Sequence, residues 1–259
     1  MHELGNSLYL LSAILFVVAF AYSSVGLGGG SSYTAWMAIF GVYYLAIPVV
    51  SLTLNVIATT IGAFNFIRCH HARWRLILPF LFSSIPMAYI GGSIHLPRTY
   101  FLLLLWGSLV FVAIRIYWFD QVKLELNLNR KQQLAISMVS GMILGFIAGV
   151  VGIGGGIYLI PLILILGLGT AKEAATCGVI FIWVNSVVGL SARFIHQPVD
   201  LSEYLPLIVA VIIGSALGSY LGASRYSPKV IEKILGLIIL VAIVLLSKTL
   251  IAAISLNTT

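Results

Sequence analysis

The sequence predicts an all-α polytopic membrane protein made of two inverted five-segment repeats, with short or broken helices after glycine-rich motifs. Composition is the first basis: the 259 residues are 61% hydrophobic and 8% charged, and the mean hydropathy is +1.11. Such values exclude the soluble globular classes. The other two observations are a series of ten apolar stretches and a glycine-rich motif that occurs twice.

Each apolar stretch is a candidate helix, and several reach the ~20 residues that span a bilayer. The stretches cover residues 12–25, 30–41, 45–67, 76–94, 99–119, 133–151, 155–168, 173–195, 204–222 and 234–255. The first has the length of a secretory signal, but the preceding MHELGN holds no Lys or Arg, so we interpret it as retained. The stretches at 30–41 and 155–168 are too short for ordinary crossings and suit half-helices or short tilted spans.

An internal duplication relates the two halves of the chain. The motif Gly-Leu-Gly-Gly-Gly that begins at Gly26 returns 126 residues later as Gly-Ile-Gly-Gly-Gly at Gly152. Further pairs keep nearly the same offset: Asn55 with Asn185, Pro79 with Pro206, Gly91 with Gly218, and Gly107 with Gly236. The interpretation is one transmembrane domain over 1–259, with repeat one at 8–119, a cytoplasmic hinge at 120–132 and repeat two at 133–255.

An odd number of segments per repeat makes the second copy enter the membrane from the opposite side, as in many secondary transporters. Lys and Arg collect on cytoplasmic loops. With both termini outside, all 14 Lys and Arg fall on the cytoplasmic side except Arg98, Arg193 and Lys248. We therefore predict a multi-pass protein of the cytoplasmic (inner) membrane of a prokaryote, with loops 68–75 and 223–233 inside. The basic residues of the cytoplasmic loops thus account for the net charge of +7. They do not form one basic domain, so no nucleic-acid partner is expected.

The paired glycine motifs are the candidate substrate site. Backbone N–H groups at a helix N-terminus attract anions, and glycine leaves them accessible. The candidates are Gly26, Gly28, Gly29 and Gly30 in the first motif, and Gly152, Gly154, Gly155 and Gly156 in the second. The alternative is close helix packing, which suits Gly141, Gly145 and Gly149, spaced by four. A dinucleotide-binding loop would need a βαβ unit, which the sequence does not indicate.

Polar residues accompany the motifs. Ser51, Asn55 and Thr59 share one helix face, and Asn185 and Ser186 occupy the corresponding stretch of the second copy. Hydroxyls in such helices often bond to their own backbone instead, and this alternative stays open for Thr59 and Ser186.

Arg193 follows the same stretch of the second copy. The sequence leaves two roles open: it meets the departing anion with bidentate hydrogen bonds, or it is a snorkelling anchor at the interface.

The two Gly-x-Gly-Gly-Gly motifs, the short stretches after them and the chain length resemble the TauE/SafE family of membrane permeases, which is associated with export of sulfite and organosulfonates. The resemblance covers residues 8–255. It implies a transporter that exports a sulfur-containing oxyanion, sulfite or an organosulfonate such as sulfoacetate, by alternating access. Ser31-Ser32 stands where the second copy has Ile157-Tyr158, so the half-sites should differ, and Ser31 joins the predicted site.

The alternative functions are a permease for another small anion, a metal-cation permease and an intramembrane enzyme. The five histidines, including His70 and His71, fall at predicted ends or loops, and Cys177 alone among metal-ligating types lies within a stretch. We interpret Cys69 and Cys177 as packing residues. No catalytic residue, metal or cofactor is predicted; the expected partners are the anion and membrane lipid, and a homodimer is left open.

Overall fold

A computed structural model describes residues 2–24, 27–67, 73–118, 129–196, 199–222 and 228–255. These residues form ten α-helices and a short 3₁₀ helix at Leu201–Tyr204. The α-helices are α1 (His2–Ser24), α2 (Gly30–Ile39), α3 (Ala46–Ile67), α4 (Trp74–Ser93), α5 (Arg98–Trp118), α6 (Arg130–Val151), α7 (Gly156–Ile165), α8 (Ala171–His196), α9 (Leu205–Gly222) and α10 (Pro228–Ser255).

The predicted all-α membrane fold is confirmed, and its inverted repeats stay a prediction. Each apolar stretch coincides with one helix, and within the described ranges seven helices are long and apolar enough to span a membrane. These are α1, α3, α4, α6, α8, α9 and α10, with the span of α9 beginning in the 3₁₀ helix. Helices α1 and α10 begin at His2 and Pro228, before the apolar stretches that predicted them. The polar residues at these helix starts break the apolar pattern of the sequence, but they do not end the helix.

Helices α4 and α6 pack closely and run parallel. A β-carbon at Gly141 would lie 2.6 Å from the carbonyl oxygen of Phe80, and one at Gly145 would lie 2.5 Å from that of Ser84. From the first contact to the second, the residue number rises by four in each helix, so the two helices are parallel. Gly149 extends the contact by one more turn. The predicted packing role of these three glycines is confirmed.

The same pairing occurs with the repeats exchanged. A β-carbon at Gly214 of α9 would lie 2.5 Å from the carbonyl oxygen of Phe16 in α1, and Gly218 abuts the carbonyl of Phe20. The first helix of each repeat therefore lies along the fourth helix of the other repeat. The two halves are interlocked and not merely placed side by side.

The third helices of the two repeats, α3 and α8, cross the centre in opposite directions. Leu52 lies 3.4 Å from the β-carbon position of Gly189, and Trp183 Nε1 donates to Thr60 Oγ1 at 2.9 Å. From the first contact to the second, the residue number rises in α3 and falls in α8, so these helices are antiparallel. An inverted repeat requires this relation, and the orientation of either half in a membrane stays a prediction.

The two ends of the helix bundle can be distinguished. At one end, Arg73 Nη1 lies 3.7 Å from Glu173 and donates to the carbonyl of Leu168 at 3.3 Å, which brings the starts of α4 and α8 together. We call this the basic end and define it by Arg73, Arg75 and Arg130. At the opposite end, the rings of His95 and His196 are 6.4 Å apart.

Several predicted loops fall outside the description. The structure does not describe residues 68–72, 119–128 or 223–227, so most of the loop 68–75 and of the hinge 120–132, and the first half of the loop 223–233, cannot be compared with prediction. Cys69, His70 and His71 lie there as well. Cys177 is described, and it is a buried free thiol, as its packing role requires.

Candidate functional site

Both glycine motifs begin a ten-residue helix, as predicted. Gly29 is the N-terminal cap of α2 with φ 79°, and Gly155 is the cap of α7 with φ 74°. Both values lie in the left-handed region that favours glycine. The two helices are also followed by similar turns: Gly41 and Gly167, each two residues after the last helical residue, again have positive φ angles. Gly26, the first glycine of the predicted site, lies outside the described residues.

Ser51 of α3 joins the two motifs. Its hydroxyl donates to the carbonyl of Gly152 at 2.7 Å, lies 3.2 Å from the carbonyl of Gly30, and accepts from Thr34 at 2.9 Å. A β-carbon at Gly30 would lie 2.9 Å from the carbonyl oxygen of Ile153. The motifs from opposite halves of the chain are therefore in direct contact.

Asn55, one turn along α3, lies between the motifs. A β-carbon at Gly28 would come within 2.6 Å of Asn55 Oδ1, one at Gly154 within 3.1 Å of Nδ2, and one at Gly30 would also meet Nδ2. The Asn55 side chain is fully buried, and neither of its polar atoms has a hydrogen-bond partner among the described residues. A buried polar group without a partner costs ~1–3 kcal/mol. Such a group in a native fold calls for an explanation, and a bound water, ion or ligand would supply the missing partner.

Ser186 of α8 approaches the same point. Its hydroxyl oxygen lies 3.0 Å from the β-carbon position of Gly154, and the residue is fully buried. Like Asn55, it has no hydrogen-bond partner in the described part of the chain. Two antiparallel helices thus direct two unsatisfied polar side chains towards Gly154. Both residues lie in the middle portions of their helices, the depth at which many transporters bind substrate.

Asn185 does not take the place that its match with Asn55 predicts. Ile182 occupies the position beside Gly154 and Gly156 that Asn55 occupies beside Gly28 and Gly30. The offset between α3 and α8 is therefore 127 residues at this point, and not the 130 of the asparagine pair. Asn185 Nδ2 donates to the carbonyl of Phe181 at 2.8 Å, while its Oδ1 is buried without a described partner. The pairing of the two asparagines is wrong, and a ligand role for Asn185 stays a prediction.

Two predicted hydroxyls already have partners. Thr59 donates to the carbonyl of Asn55 at 2.6 Å, the back-bonding alternative, and turns its methyl group towards Gly28. The Ser31 hydroxyl lies 3.2 Å from the hydroxyl of Tyr22. These residues shape the wall of the site more than they offer free donors to it.

Arg193 is enclosed and 3% exposed. Its Nη2 donates to the carbonyls of Gly149 and Val150, at 3.1 and 2.7 Å, in the last turn of α6. The interpretation of Arg193 as a snorkelling anchor is wrong, because its guanidinium is not at the surface. The cation caps the helix that leads directly into the second glycine motif.

Sequence reasoning missed Tyr33 and Ile182. A β-carbon at Gly29 would lie 2.7 Å from the Tyr33 hydroxyl, which is buried without a described partner. A tyrosine in the first turn after the first motif was the available signal. Ile182 is apolar within an apolar helix, so its side chain gave no signal; the available one was the offset of 127 residues between Pro79 and Pro206, which pairs it with Asn55.

The described residues of the site are closed to solvent. Gly28 to Gly30 and Gly152 to Gly156 are all buried, as are Asn55 and Ser186. A ligand could reach it only if helices moved.

Comparisons with known proteins identify a family and two relatives. The family model described as "Sulfite exporter TauE/SafE" matches residues 11–246. A probable membrane transporter protein of Sinorhizobium fredii is 32% identical over 238 residues, which cover 90% of this chain and 95% of the relative. A probable membrane transporter protein of Methanocaldococcus jannaschii is 27% identical over 238 residues, 85% of this chain and 88% of the relative. No solved structure matches the chain.

Proposed function

The chain belongs to the TauE/SafE family and is a multi-pass membrane transporter, and from this premise we propose that it exports a small sulfur-containing oxyanion. The substrate is sulfite or an organosulfonate such as sulfoacetate. It leaves across the cytoplasmic membrane of a prokaryote, by alternating access about the closed site between α3 and α8.

The observation that carries this proposal is the unsatisfied amide of Asn55 between two helix N-termini. The N-terminus of a helix combines free N–H donors with a partial positive charge, so α2 and α7 together favour an anion. Asn55 Nδ2 and the Ser186 hydroxyl add two donors near Gly154. A sulfite or sulfonate group offers three oxygens to such donors. Because the site relies on partial charges, it can also release the anion.

The composition of the helices speaks against the metal-cation and enzyme alternatives. Sites for hard divalent cations usually include carboxylates, and no Asp or Glu lies within two turns of the Asn55 position on α3. The described imidazoles of His95 and His196 lie at the far end of the bundle. Another small oxyanion is the second candidate, because donors of this kind recognise oxygen geometry and charge more than the central atom.

Asn55→Leu tests the site. Leucine has the same branched heavy-atom skeleton and removes the unsatisfied amide, so the folded protein should keep most of its thermal stability. Affinity for sulfite and sulfoacetate should fall about tenfold or more, the loss expected for one hydrogen bond to a charged group. The measurement is binding to purified protein, with thiosulfate and sulfate alongside to rank the anions. Thr53→Val is the matched control, because the Thr53 hydroxyl donates to its own helix at Val49.

Unchanged affinity in Asn55→Leu would reject the site between the motifs. Gly29→Ala and Gly155→Ala give a second test, because each places a β-carbon at a positive φ angle. Should both proteins fold and bind with wild-type affinity, the glycines serve packing alone. Efflux from vesicles loaded with each anion then decides the substrate.

A further inference from the structure

A groove opens at the basic end, between the N-terminal halves of α4 and α6. Its volume is about 970 Å³. Three arginines, Arg73, Arg75 and Arg130, line one part of it, and apolar side chains line most of the remainder. This combination differs from the glycine site, which is closed, uncharged and situated deeper in the bundle.

The described side chains of the cationic part of the groove carry net positive charge. Arg73 is partly neutralised by Glu173 at 3.7 Å and is held by the carbonyl of Leu168. Arg75 and Arg130 are exposed and project from the starts of parallel helices. Trp74, which lies between Arg73 and Arg75, is 54% exposed. Exposed tryptophan is typical of the level at which lipid headgroups meet the hydrocarbon.

The apolar part lies deeper along the same two helices. Phe82 is 77% exposed, Leu78 54% and Leu134 48%. Phe82 follows Arg75 by seven residues, which is ~10 Å along a helix. The groove thus presents cations at one level and an exposed apolar surface about 10 Å further into the membrane.

We propose that this groove binds an anionic phospholipid. The phosphate lies between Arg75 and Arg130, and an acyl chain covers Leu78, Phe82 and Leu134. Charge complementarity selects the occupant: a zwitterionic lipid would satisfy the apolar surface but leave the net positive charge uncompensated. Basic pockets between transmembrane helices commonly hold anionic headgroups. The inference does not depend on the transported substrate.

Native mass spectrometry of the purified full-length protein tests the proposal, with phosphatidylglycerol and phosphatidylcholine as the probes. Each arginine near an anionic headgroup contributes about fivefold in affinity. The wild type should therefore prefer phosphatidylglycerol, and Arg75→Gln/Arg130→Gln should weaken its binding by roughly 25-fold. Binding of phosphatidylcholine should not change. The matched control is Arg98→Gln/Lys248→Gln, which removes two exposed cations outside the groove.

Three results would overturn the proposal. In the first, the double variant keeps the full preference for phosphatidylglycerol. In the second, inorganic phosphate displaces phosphatidylglycerol at equal concentration, which would indicate a site for small anions. In the third, Phe82→Ser converts a dimer to a monomer without changing lipid preference, which would mean that a second copy of the chain covers the groove. If Phe82→Ser instead weakens binding of both lipids, the acyl-chain contact is supported.

Discussion

At the residue scale, Arg193 shows how the fold accommodates a cation that is 3% exposed. An isolated charge in a medium of low dielectric is costly and persists where partners compensate it. Here the partners are the carbonyls of Gly149 and Val150, at the end of α6 that carries the negative part of the helix dipole. The cation therefore stabilises the turn that positions the second glycine motif.

Removal of Arg193 should destabilise the protein through α6. Arg193→Ala leaves two buried carbonyls without donors, and we expect a loss of ~2–3 kcal/mol in the free energy of unfolding. Arg193→Lys keeps the charge and one donor group, so its loss should be smaller. Thermal unfolding in detergent measures both, with Arg98→Ala, exposed at the same end of the bundle, as the control.

The same variants decide whether Arg193 also meets the anion. Its Nε is buried without a described partner, so the guanidinium retains one unused donor. Folded Arg193→Ala protein that transports at the wild-type rate would reject any role in transport. An equal loss of stability in Arg98→Ala would contradict the capping role.

The site residues illustrate the limit of inference from sequence. The glycine motifs, Asn55 and Ser186 could be identified, because glycines and polar side chains stand out in apolar helices. The environment of Asn185 was not, because the match of the two asparagines at an offset of 130 residues was preferred to the 127 of Pro79 with Pro206 and of Gly91 with Gly218. Ile182, which replaces Asn55 in the second half of the site, differs from its neighbours only by position.

At the element scale, the contact between α4 and α6 depends on glycine. Apolar lipid chains give no hydrophobic driving force between helices, so close backbone approach supplies the attraction. Gly141 and Gly145 allow that approach to the backbone of α4. The spacing by four predicted a packing surface on α6. It did not identify α4 as the partner, because apolar faces of similar composition occur on most of the helices.

Gly145→Ala tests the packing role of the glycines on α6. Its β-carbon would lie 2.5 Å from the carbonyl of Ser84, so α4 and α6 must move apart, at a cost of ~1–3 kcal/mol or more in unfolding free energy. Gly107→Ala is the control: the position is exposed on α5 and its β-carbon would meet nothing within 4 Å. That variant should be neutral or more stable by up to ~1 kcal/mol. Equal stabilities for the two proteins would contradict the packing role.

At the scale of the whole molecule, interlocking connects the halves of the chain. Each half contributes one glycine motif, and Ser51 of the first half bonds to Gly152 of the second. Neither half therefore holds a complete site. Under the proposed alternating access, helices must therefore rearrange around the contact between α3 and α8, because the halves cannot simply separate.

The predicted orientation in the membrane can be tested with two cysteines in a protein lacking Cys69. Lys131 is exposed at the start of α6, at the basic end, and Ser202 is exposed before α9. We expect a membrane-impermeant maleimide added to intact cells to label Ser202→Cys. Lys131→Cys should react only after permeabilisation, because basic loops stay in the cytoplasm. The reverse pattern would invert the topology and place both termini inside.

The distribution of acids predicts how export is driven. Among the described residues, the five acids lie in the first turns of a helix, in the 3₁₀ helix or just before it: Glu3, Glu173, Asp200, Glu203 and Glu232. Asp120 and Glu125 lie outside the described residues. A proton relay through the membrane is usually built from carboxylates or histidines at depth. We therefore expect uniport driven by the membrane potential.

The potential itself is sufficient to drive that export. Each negative charge that leaves a compartment at about −100 mV gains ~2.3 kcal/mol, which corresponds to a concentration ratio of roughly 50. In proteoliposomes loaded with the anion, a potassium diffusion potential, negative inside, should accelerate efflux, and collapsing it with an ionophore should remove the acceleration. A pH gradient of equal free energy should have little effect. Efflux that follows the pH gradient and ignores the potential would instead indicate coupling to protons, and would direct attention to the histidines at the far end of the bundle.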